Sequence, residues 1–273
     1  MKKRETIILL LVTLLAVAAA LGVAYYKKGM ASPKYPEIKF DNDTISVSIN
    51  ATDKELLKGV TATDPEDGDI SDSLIVGDIS NIVNGKYARI TYAACDSQNH
   101  VTKAQRTVVY TDYTSPRFSM TGPMIFKISN NVNILQYINA EDVFEGDISR
   151  NIKFSITTNG VDFGEVGEYE VVFSVTNSKG DTSSLPITVE VTDRAFNSAE
   201  ITLSDYLVYL KPGDEFDAKQ YVVGYQANGS TVNGTKGLKI DGDVDTDTPG
   251  VYKVEYTYKG NTLSQTSLYV VVG

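Results

Sequence analysis

The sequence predicts an all-β protein, in which three tandem β-sandwich domains follow one N-terminal transmembrane helix. An acidic segment that begins at Asp64 returns in altered form at Asp142, 78 positions later, and self-similarity at a fixed period indicates tandem domains. Short alternations of apolar and polar residues, separated by turn residues, predict strands rather than amphipathic helices. A long apolar run, residues 7–24, precedes the first repeat. Together these observations define the architecture.

The charge distribution excludes nucleic acid as a partner. The 273 residues include 25 basic and 35 acidic side chains, for a formal net charge of −10. Residues 1–28 hold five of the basic groups and one acid, which leaves 20 basic against 34 acidic groups in the rest. Such a surface repels a phosphate backbone. Cys95 is the single cysteine, so no intrachain disulfide can form.

The apolar run at 7–24 predicts a transmembrane anchor. As a helix it spans about 27 Å, close to the roughly 30 Å of a bilayer core. Lys2-Lys3-Arg4 precede it, and Tyr25-Tyr26 follow where an interfacial aromatic belt belongs. The alternative is a cleaved signal peptide with small residues at 18–20, but such apolar regions usually have about 7–15 residues. We expect a single-pass protein of the cell membrane, with residues 29–273 extracellular.

The repeat period and the linkers divide the chain into five parts: a cytoplasmic tip and helix (1–28), a linker (29–36), repeat 1 (37–113), repeat 2 (114–194) and a divergent repeat 3 (195–273). In repeat 1, residues 45–49 and 89–94 alternate as half-buried strands, and residues 107–110 form the closing strand. The segment 64–71 lies between the first two strands as a turn.

Repeats 2 and 3 follow the same order. Residues 169–175 alternate as a strand, residues 177–181 have the composition of a hairpin turn, and residues 187–191 supply the last inward row. In repeat 3 the corresponding strands are predicted at 252–258 and 268–272. Repeat 3 lacks the acidic turn but keeps this frame.

Several sequence motifs recur in the repeats in the same order. They are an alanine followed by an acidic turn with Gly-Asp, a Gly-x-Tyr strand and a Thr-Asp exit. In repeat 1 they lie at 62–69, 85–92 and 111–112, in repeat 2 at 140–147, 167–169 and 192–193, and in repeat 3 only the Gly-x-Tyr part is present, at 249–252. The chain therefore resembles the bacterial immunoglobulin-like surface domains of pesticidal crystal toxins and Gram-positive cell-surface proteins. The resemblance covers most of residues 37–273. It implies an immunoglobulin-like fold and a surface location, but no activity.

The acidic turn of repeat 1 is the candidate metal site. Its candidate ligands are Asp64, Glu66, Asp67 and Asp69. Ca²⁺ takes about six to eight oxygen ligands, so four acids with backbone carbonyls form a weak candidate. The alternative is a structural turn, in which Pro65 fixes φ, Gly68 allows a positive φ and the acids stay solvated. Repeat 2 keeps only Asp142, Glu145 and Asp147, which favours the structural turn. We expect no cofactor, with Ca²⁺ as the alternative.

No catalytic residues are predicted. His100 is the single histidine, and Cys95 lies five positions before it on a predicted hairpin. A nucleophile and a base also require a third, orienting group and a pocket, and the sequence indicates neither. We therefore expect a protein that is not an enzyme.

Repeat 3 carries the predicted ligand site, in the polar segment 224–234 that replaces the acidic turn. Loops at the ends of a sandwich vary without disturbing its core, so binding often resides there. Tyr225 is the predicted aromatic anchor, with Gln226, Asn228 and Asn233 as polar contacts. The alternative for this segment is an ordinary Asn-Gly hairpin.

These observations favour a non-catalytic, membrane-anchored surface protein that serves adhesion, ligand binding or spacing. Its expected partners are the membrane, through the helix, and an extracellular protein or polysaccharide. A carbohydrate-binding module is one alternative, although Tyr256 and Tyr258 share an apolar row that favours a core position. A structural subunit of an envelope assembly, pairing through sheet edges, is the other.

Overall fold

The computed structural model describes residues 2–29, 35–83, 85–128, 133–156, 164–193, 201–227, 230–259 and 263–273. The chain begins with helix α1, Lys2–Gly29. Within the described ranges, no helix is both long and apolar enough to cross a membrane, so the predicted transmembrane helix is not supported.

Two compact units make up the chain, and each is described by itself. Unit 1 comprises Met1–Asp43, Thr52–Asp78 and Ile90–Arg106. Unit 2 comprises Thr44–Ala51, Ile79–Arg89 and Thr107–Gly273, and it therefore contains repeats 2 and 3 with part of repeat 1.

Strands dominate each repeat, as predicted. Repeat 1 contains β1 Glu37–Phe40, β2 Thr44–Val47, β3 Val60–Asp64, β4 Gly68–Asp69, β5 Ile75–Ile79, β6 Tyr87–Cys95 and β7 Val101–Tyr110. Repeat 2 contains β8 Arg117–Met120, β9 Ile125–Lys127, β10 Ile138–Asp142, β11 Gly146–Asp147, β12 Lys153–Ile156, β13 Gly167–Thr176 and β14 Thr182–Thr192. Repeat 3 contains β15 Ile201–Leu203, β16 Leu207–Leu210, β17 Val222–Ala227, β18 Ser230–Asn233, β19 Lys239–Asp241, β20 Gly250–Lys259 and β21 Leu263–Val272.

The sheet topology is the same in the three repeats. Each has a three-stranded sheet, in the orders β1-β3-β4, β11-β10-β8 and β15-β17-β18. Each also has a four-stranded sheet, in the orders β2-β7-β6-β5, β12-β13-β14-β9 and β16-β21-β20-β19. The second strand of every repeat pairs in parallel with its last strand. Repeat 3 therefore keeps the frame, and its β17–β18 hairpin stands where the other repeats have the acidic turn.

The predicted inward rows form the cores of repeats 2 and 3. In repeat 2, the alternate residues of 169–175 and 187–191 are buried in one apolar cluster with the inward residues of β8 and β10. In repeat 3, Val254, Tyr256 and the alternate residues of 268–272 are buried in a second cluster. Because a period of two puts alternate side chains on opposite faces, the strand patterns predicted these positions correctly.

A single helical turn in repeat 1 was not predicted. Helix α2, Asp53–Leu56, begins at a capping box in which Thr52 and Glu55 exchange hydrogen bonds. Ser/Thr followed three residues later by Glu is the sequence signal for such a helix start. Backbone and side-chain hydrogen bonds from Thr52 hold the pKa of Glu55 below its ordinary value. Short 3₁₀ turns complete the described helical segments: Ser71–Ser73, Ile134–Tyr137, Ser149–Asn151 and Ala218–Tyr221.

Candidate functional site

The first half of the acidic turn in repeat 1 is organised by the Asp64 carboxylate. Asp64 ends β3 and is 6% exposed. Its Oδ1 accepts hydrogen bonds from the backbone N–H groups of Glu66 at 2.7 Å and Asp67 at 3.0 Å. This is an Asx turn, in which a side chain replaces the partner that the bent backbone lacks. Gly68 follows with φ +78°, as the turn prediction requires.

The second half of the turn is formed by Asp-Ile-Ser, the sequence that the turns of repeats 1 and 2 share. Asp69 Oδ1 accepts from the Ser71 N–H at 2.9 Å and from its hydroxyl at 2.6 Å. The Ser71 Oγ in turn accepts from the Ala62 N–H at 3.1 Å, which fastens the turn to β3. The hydroxyl and backbone hydrogen bonds from Ser71 hold the pKa of Asp69 below its ordinary value of 3.8. The motif thus closes a turn.

The remaining acids of repeat 1 bind the neighbouring hairpin. Asp67 accepts from the Ser97 N–H at 2.7 Å and from the Ser97 hydroxyl at 2.9 Å. Glu66 accepts from the Gln98 side-chain amide at 2.7 Å. The four predicted metal ligands are thereby engaged in separate hydrogen bonds. Among the described residues, they are not part of a group of three ligand atoms within 4.8 Å of one another. The Ca²⁺ site at this turn stays a prediction.

Repeat 2 copies the closing half of the turn. Ser149 donates to Asp147 Oδ1 through its N–H at 2.9 Å and its hydroxyl at 2.6 Å, and it accepts from the Ala140 N–H at 3.0 Å. Hydrogen bonds from Ser149 lower the pKa of Asp147 as well. Gly146 has φ +70°. The two turns differ only outside this frame.

The first difference between the two turns is the hydrogen-bond partner of Oδ2 of the leading aspartate, which is Asp64 in repeat 1 and Asp142 in repeat 2. In repeat 2, Asp142 Oδ2 accepts from the Asn177 side-chain amide at 2.8 Å. In repeat 1, Asp64 Oδ2 is buried and has no hydrogen-bond partner among the described residues. Asp96 occupies the hairpin position of Asn177, since its Oδ1 accepts from two backbone N–H groups of its hairpin as the Asn177 side chain does. A carboxylate cannot supply the donor that the Asn177 amide supplies.

The second difference is an aromatic residue in the turn of repeat 2. Phe144 replaces Glu66 and contacts two tyrosines at the end of repeat 1, all within unit 2. Its ring stacks on Tyr113 at 5.4 Å between centroids and meets Tyr110 edge-on at 5.7 Å. Stacked and edge-to-face pairs of this kind add to the stabilisation from burial. The acidic turn of repeat 2 therefore also serves as a contact with repeat 1.

Tyr113 connects this contact to the hydrogen bonds of the turn. Its hydroxyl donates to Asp181 Oδ2 at 2.6 Å and accepts from the Asn177 amide at 3.0 Å. Burial raises the pKa of Tyr113 well above its ordinary value, and the hydrogen bond to Asp181 raises it further. The backbone adds a direct bond, from the Ile82 N–H to the Lys179 carbonyl at 2.8 Å. We call this set of contacts the first junction.

A second junction joins repeats 2 and 3. The Phe118 N–H donates to the Tyr209 hydroxyl at 3.0 Å, and Tyr269 donates its hydroxyl to the Thr188 carbonyl. Leu207 and Tyr269, both of repeat 3, are buried in the apolar cluster of repeat 2. Burial raises the pKa of Tyr269 well above its ordinary value, and the nearby glutamates contribute.

The predicted ligand residues of repeat 3 are only partly available. Tyr225 is 4% exposed, packs 4.9 Å from the Tyr258 ring and donates its hydroxyl to the Lys236 carbonyl. The prediction of an exposed aromatic anchor is therefore wrong, because alternation on β17 places this ring in the core. Gln226 and Asn233 are exposed and share with Tyr225 the lining of a cavity of about 160 Å³. Asn228 lies outside the described residues.

The hairpin of repeat 1 places Cys95 and His100 in structural contacts. His100 Nδ1 lies 2.8 Å from Asp96 Oδ2, and Cys95 Sγ lies 3.4 Å from the Asp96 carbonyl. Burial raises the pKa of Asp96, but hydrogen bonds from His100 and Gln98 outweigh that effect, and the net shift is downward. Both side chains thus contact Asp96, and the described bonds do not join the thiol to the imidazole.

The comparisons with known proteins agree with the immunoglobulin-like fold predicted for the repeats. Residues 204–272 match the family of bacterial Ig-like domains, group 3, which confirms the resemblance predicted from the sequence. The pesticidal crystal protein Cry22Aa of Bacillus thuringiensis is 30% identical over 252 residues, which are 87% of this chain and 33% of that protein. An uncharacterized 81.3 kDa protein of Acholeplasma phage L2 is 24% identical over 177 residues, 64% of this chain and 23% of that protein.

The chain spans a third or less of the length of these two relatives. Among solved structures, one of ZmpB from Clostridium perfringens, containing CBM51-2 in complex with GlcNAc and INT domains, is 18% identical. It aligns with 57% of this chain and 26% of its own, at a TM-score of 0.23. A score this low carries no argument about function.

Proposed function

We propose that this chain of bacterial Ig-like repeats is a non-catalytic surface protein, in which repeats 2 and 3 act as a stiff spacer. The observation that carries the proposal is the second junction, where one apolar cluster contains residues of both repeats. Interfaces between domains of one chain are usually polar and allow relative motion. A shared apolar core opposes that motion, since separating the repeats exposes buried surface to water.

The junction combines apolar burial with directional bonds. Leu207 and Tyr269 supply the buried surface, and fully burying a side chain of this kind contributes about 1.5–3 kcal/mol. The Tyr209 and Tyr269 hydroxyls each bond a backbone group of repeat 2. Together these contacts restrict both bending and rotation between the repeats, as a spacer requires.

The contacts of the candidate residues support a non-catalytic role. Activated nucleophiles need a base within hydrogen-bond reach and a third group that orients the base. The His100 ring is engaged with Asp96, and the Cys95 thiol faces a backbone carbonyl. These contacts stabilise a hairpin, and this structural role explains both residues without a catalytic reaction.

Calorimetry of the full chain tests the spacer. If the second junction couples the repeats, repeats 2 and 3 unfold in one transition, and Leu207→Ser splits it into two. Val223→Ser is the matched control, because Val223 is an apolar residue of repeat 3 that is 56% exposed. Separate transitions for repeats 2 and 3 in the unsubstituted chain would reject the spacer.

Attachment to the cell membrane is a separate part of the proposal, and it rests on the apolar sequence 7–24. If residues 29–273 are extracellular, protease added to intact cells removes them and leaves a small membrane-bound fragment. Protection of these residues until the cells are lysed would place them inside and reject the orientation.

The partner that this spacer presents or reaches is proposed to be an extracellular protein or polysaccharide. A sugar-binding platform on repeat 3 gains no support from its described tyrosines. Tyr256 is buried, and Tyr252 and Tyr258 pack against the same apolar cluster. Stacking on a sugar ring requires an exposed aromatic face. We therefore do not advance the carbohydrate-binding alternative.

A further inference from the structure

A cavity on the outer face of repeat 2 is lined mainly by residues that can donate hydrogen bonds. It has a volume of about 320 Å³ and lies where the 3₁₀ turn at 149–151 and the start of β12 meet β13. Lys153 of β12 and Ser174 of β13 are direct partners in the strand pairing, so their side chains share one face of the sheet. The lining residues are two cations, one amide, two hydroxyls and one buried apolar residue: Arg150, Lys153, Asn151, Ser174, Thr176 and Ile152. Such a set of donors suits an anion.

Neither cation of this cavity is held by a carboxylate. In the part of the chain that the structure describes, no carboxylate oxygen lies within 4.0 Å of a side-chain nitrogen of Arg150 or Lys153. Arg150 contributes to the lowered pKa of Asp147, but the hydrogen bonds from Ser149 contribute more. The chain as a whole has a net charge of −10. Two neighbouring cations without an ion pair therefore give this face a local positive potential.

The corresponding turn of repeat 1 forms without either cation. Asp72 and Ile75 stand 78 positions before Arg150 and Lys153. The two 3₁₀ turns nevertheless begin with the same backbone angles, φ −117° in both and ψ of 23° and 19°. Folding of the turn therefore does not require the positive charges. A lysine on an edge strand such as β12 also deters pairing with another chain, which accounts for Lys153 but not for Arg150.

The hydroxyls of the cavity are also specific to repeat 2. Counted from the equivalent positions of the two hairpins, Ala93 and Cys95 of repeat 1 take the places of Ser174 and Thr176. The Thr176 hydroxyl shares a hydrogen bond with that of Thr182 at 2.7 Å, which leaves the Ser174 hydroxyl to meet a ligand. Repeat 2 thus has four polar residues where the same frame in repeat 1 has an acid, an isoleucine, an alanine and a cysteine.

We propose that Arg150, Lys153 and the Ser174 hydroxyl bind a phosphoryl group, as free phosphate or as a soluble phosphate monoester. A guanidinium group presents a planar fork of donors that matches two phosphate oxygens, and an ammonium group adds a second positive charge. A phosphoryl group carries a charge of about −1.5 to −2 at neutral pH and three acceptor oxygens, whereas a carboxylate has one charge and two oxygens. Two cations and a hydroxyl fit the phosphoryl group better.

The position of the cavity determines how the site behaves. All of its lining residues belong to repeat 2, so the inference goes beyond the spacer and does not depend on it. Arg150 and Lys153 are exposed, and the charge of the exposed Asp147 opposes an incoming anion. Interactions between exposed charges are screened by salt. Binding should therefore weaken as the ionic strength rises.

Titration calorimetry of the full chain with sodium phosphate at low ionic strength tests the site. We expect saturable binding, and we expect Arg150→Gln and Lys153→Gln each to weaken it about tenfold, because each removes a charge-assisted hydrogen bond. Lys153→Arg keeps the charge and should keep the binding. Lys219→Gln, which removes one exposed positive charge of repeat 3, is the matched control and should leave the affinity unchanged.

Two further ligands identify the anion. Acetate at the same ionic strength should bind more weakly than phosphate, since it has one charge and two oxygens. Glycerol 3-phosphate distinguishes the two sources of the phosphoryl group: tighter binding than that of inorganic phosphate assigns an ester, and weaker binding assigns the free ion. Equal affinities for acetate and phosphate would overturn the proposal.

Thermal unfolding gives a second readout that does not depend on the heat of binding. Phosphate stabilises folded proteins in general, so the expected result is a larger rise in Tm for the unsubstituted chain than for Arg150→Gln. Circular dichroism checks that each variant folds. The proposal fails if the full chain shows no saturable binding, or if Arg150→Gln and Lys153→Gln leave the affinity unaltered. It also fails if Lys219→Gln weakens binding as much, because the affinity then reflects net charge and not this cavity.

Discussion

The acidic turns of repeats 1 and 2 share one frame and differ in what surrounds it. Both use a leading aspartate as an Asx turn, a glycine with positive φ, and an Asp-x-Ser that closes onto the preceding strand. In repeat 2 the turn also bonds Asn177 and packs Phe144 against repeat 1. The frame therefore serves folding within a repeat, and the variable positions around it serve contact with a neighbouring repeat.

The hairpins beside the two turns differ in the same way. Gly180 of repeat 2 has φ +75°, and Asn99 takes the equivalent place in repeat 1 with φ +67°. Asn99 tolerates this conformation at some cost, whereas glycine adopts it freely. In repeat 2, a Cβ added at Gly180 would lie 2.7 Å from the Asn81 side chain. A larger residue at position 180 therefore requires the Asn81 side chain to shift as well as a positive φ.

Among the substitutions that test this comparison, replacing the amide of Asn177 in repeat 2 by the carboxylate found at Asp96 in repeat 1 should have the largest effect on stability. Asn177→Asp replaces a buried donor by a second carboxylate beside Asp142, and we expect a loss of about 3 kcal/mol in the free energy of unfolding at neutral pH. The loss should shrink in acid, because a proton shared by the two carboxyls restores a donor. Denaturant titration at both pH values measures it.

The reverse exchange in repeat 1 sharpens the comparison. Asp96→Asn offers a donor to the unpartnered Asp64 Oδ2, and we expect a gain of about 1 kcal/mol in the free energy of unfolding, measured by denaturant titration. If Asp96→Asn instead destabilises the chain as strongly as Asn177→Asp, the two hairpins are not equivalent and the comparison does not hold.

A methyl group at Gly180 should cost about 2 kcal/mol, from backbone strain together with displacement of Asn81. Asn99→Gly is the matched change in repeat 1, and it should gain a few tenths of a kcal/mol or leave stability unaltered. Both are read from the midpoint of chemical unfolding. A loss at Gly180 no greater than that at Gly146 would mean that the first junction accommodates the extra atom.

The glycines of the turns themselves should respond equally. Gly68→Ala and Gly146→Ala each place an alanine at positive φ, where the added Cβ has no atom within 4 Å in either repeat. We expect each to cost about 1 kcal/mol through backbone strain alone. Clearly unequal losses by denaturant titration would show that the surroundings, and not the shared frame, determine the cost.

Removing the closing hydroxyls should give the smallest effect, visible as a change with pH. Hydrogen bonds from Ser71 and Ser149 hold the pKa values of Asp69 and Asp147 below the ordinary 3.8. A lowered folded-state pKa contributes stability above the unfolded value, and this contribution disappears as the pH falls through the folded value. Ser149→Ala should therefore lower stability at neutral pH, and the deficit should diminish below about pH 4. A deficit that is constant with pH would assign the serine to packing.

The strand pattern predicted the fold well because alternation reports which face of a strand is buried. It identified the inward row of 169–175 correctly. It misplaced Tyr225, because the polar composition of 224–234 indicated a loop while the residues form a hairpin whose Tyr225 faces the core. The change from Glu66 to Phe144 was the available signal for the first junction, since an apolar residue gained in a turn needs a partner.

Three glutamates, Glu168, Glu190 and Glu255, each have one oxygen within 4.8 Å of the others, and this proximity could not have been predicted from the sequence. Pairing of Glu168 with Glu190 depends on the register of β13 and β14. The approach of Glu255 depends further on how repeat 3 contacts repeat 2 within unit 2. Neither quantity has a local signature, because both arise from tertiary packing.

The parallel pairing of the second and last strands has a mechanical consequence. When tension acts on the two ends of a repeat, it pulls such strands in opposite directions along their length, so their ladder bonds must rupture together rather than one after another. The pairs β2 with β7 and β16 with β21 join four residues each, and the pair β9 with β14 joins three. In single-molecule pulling, repeat 2 should therefore unfold at the lowest force, and its unfolding would lengthen the chain before the other repeats unfold.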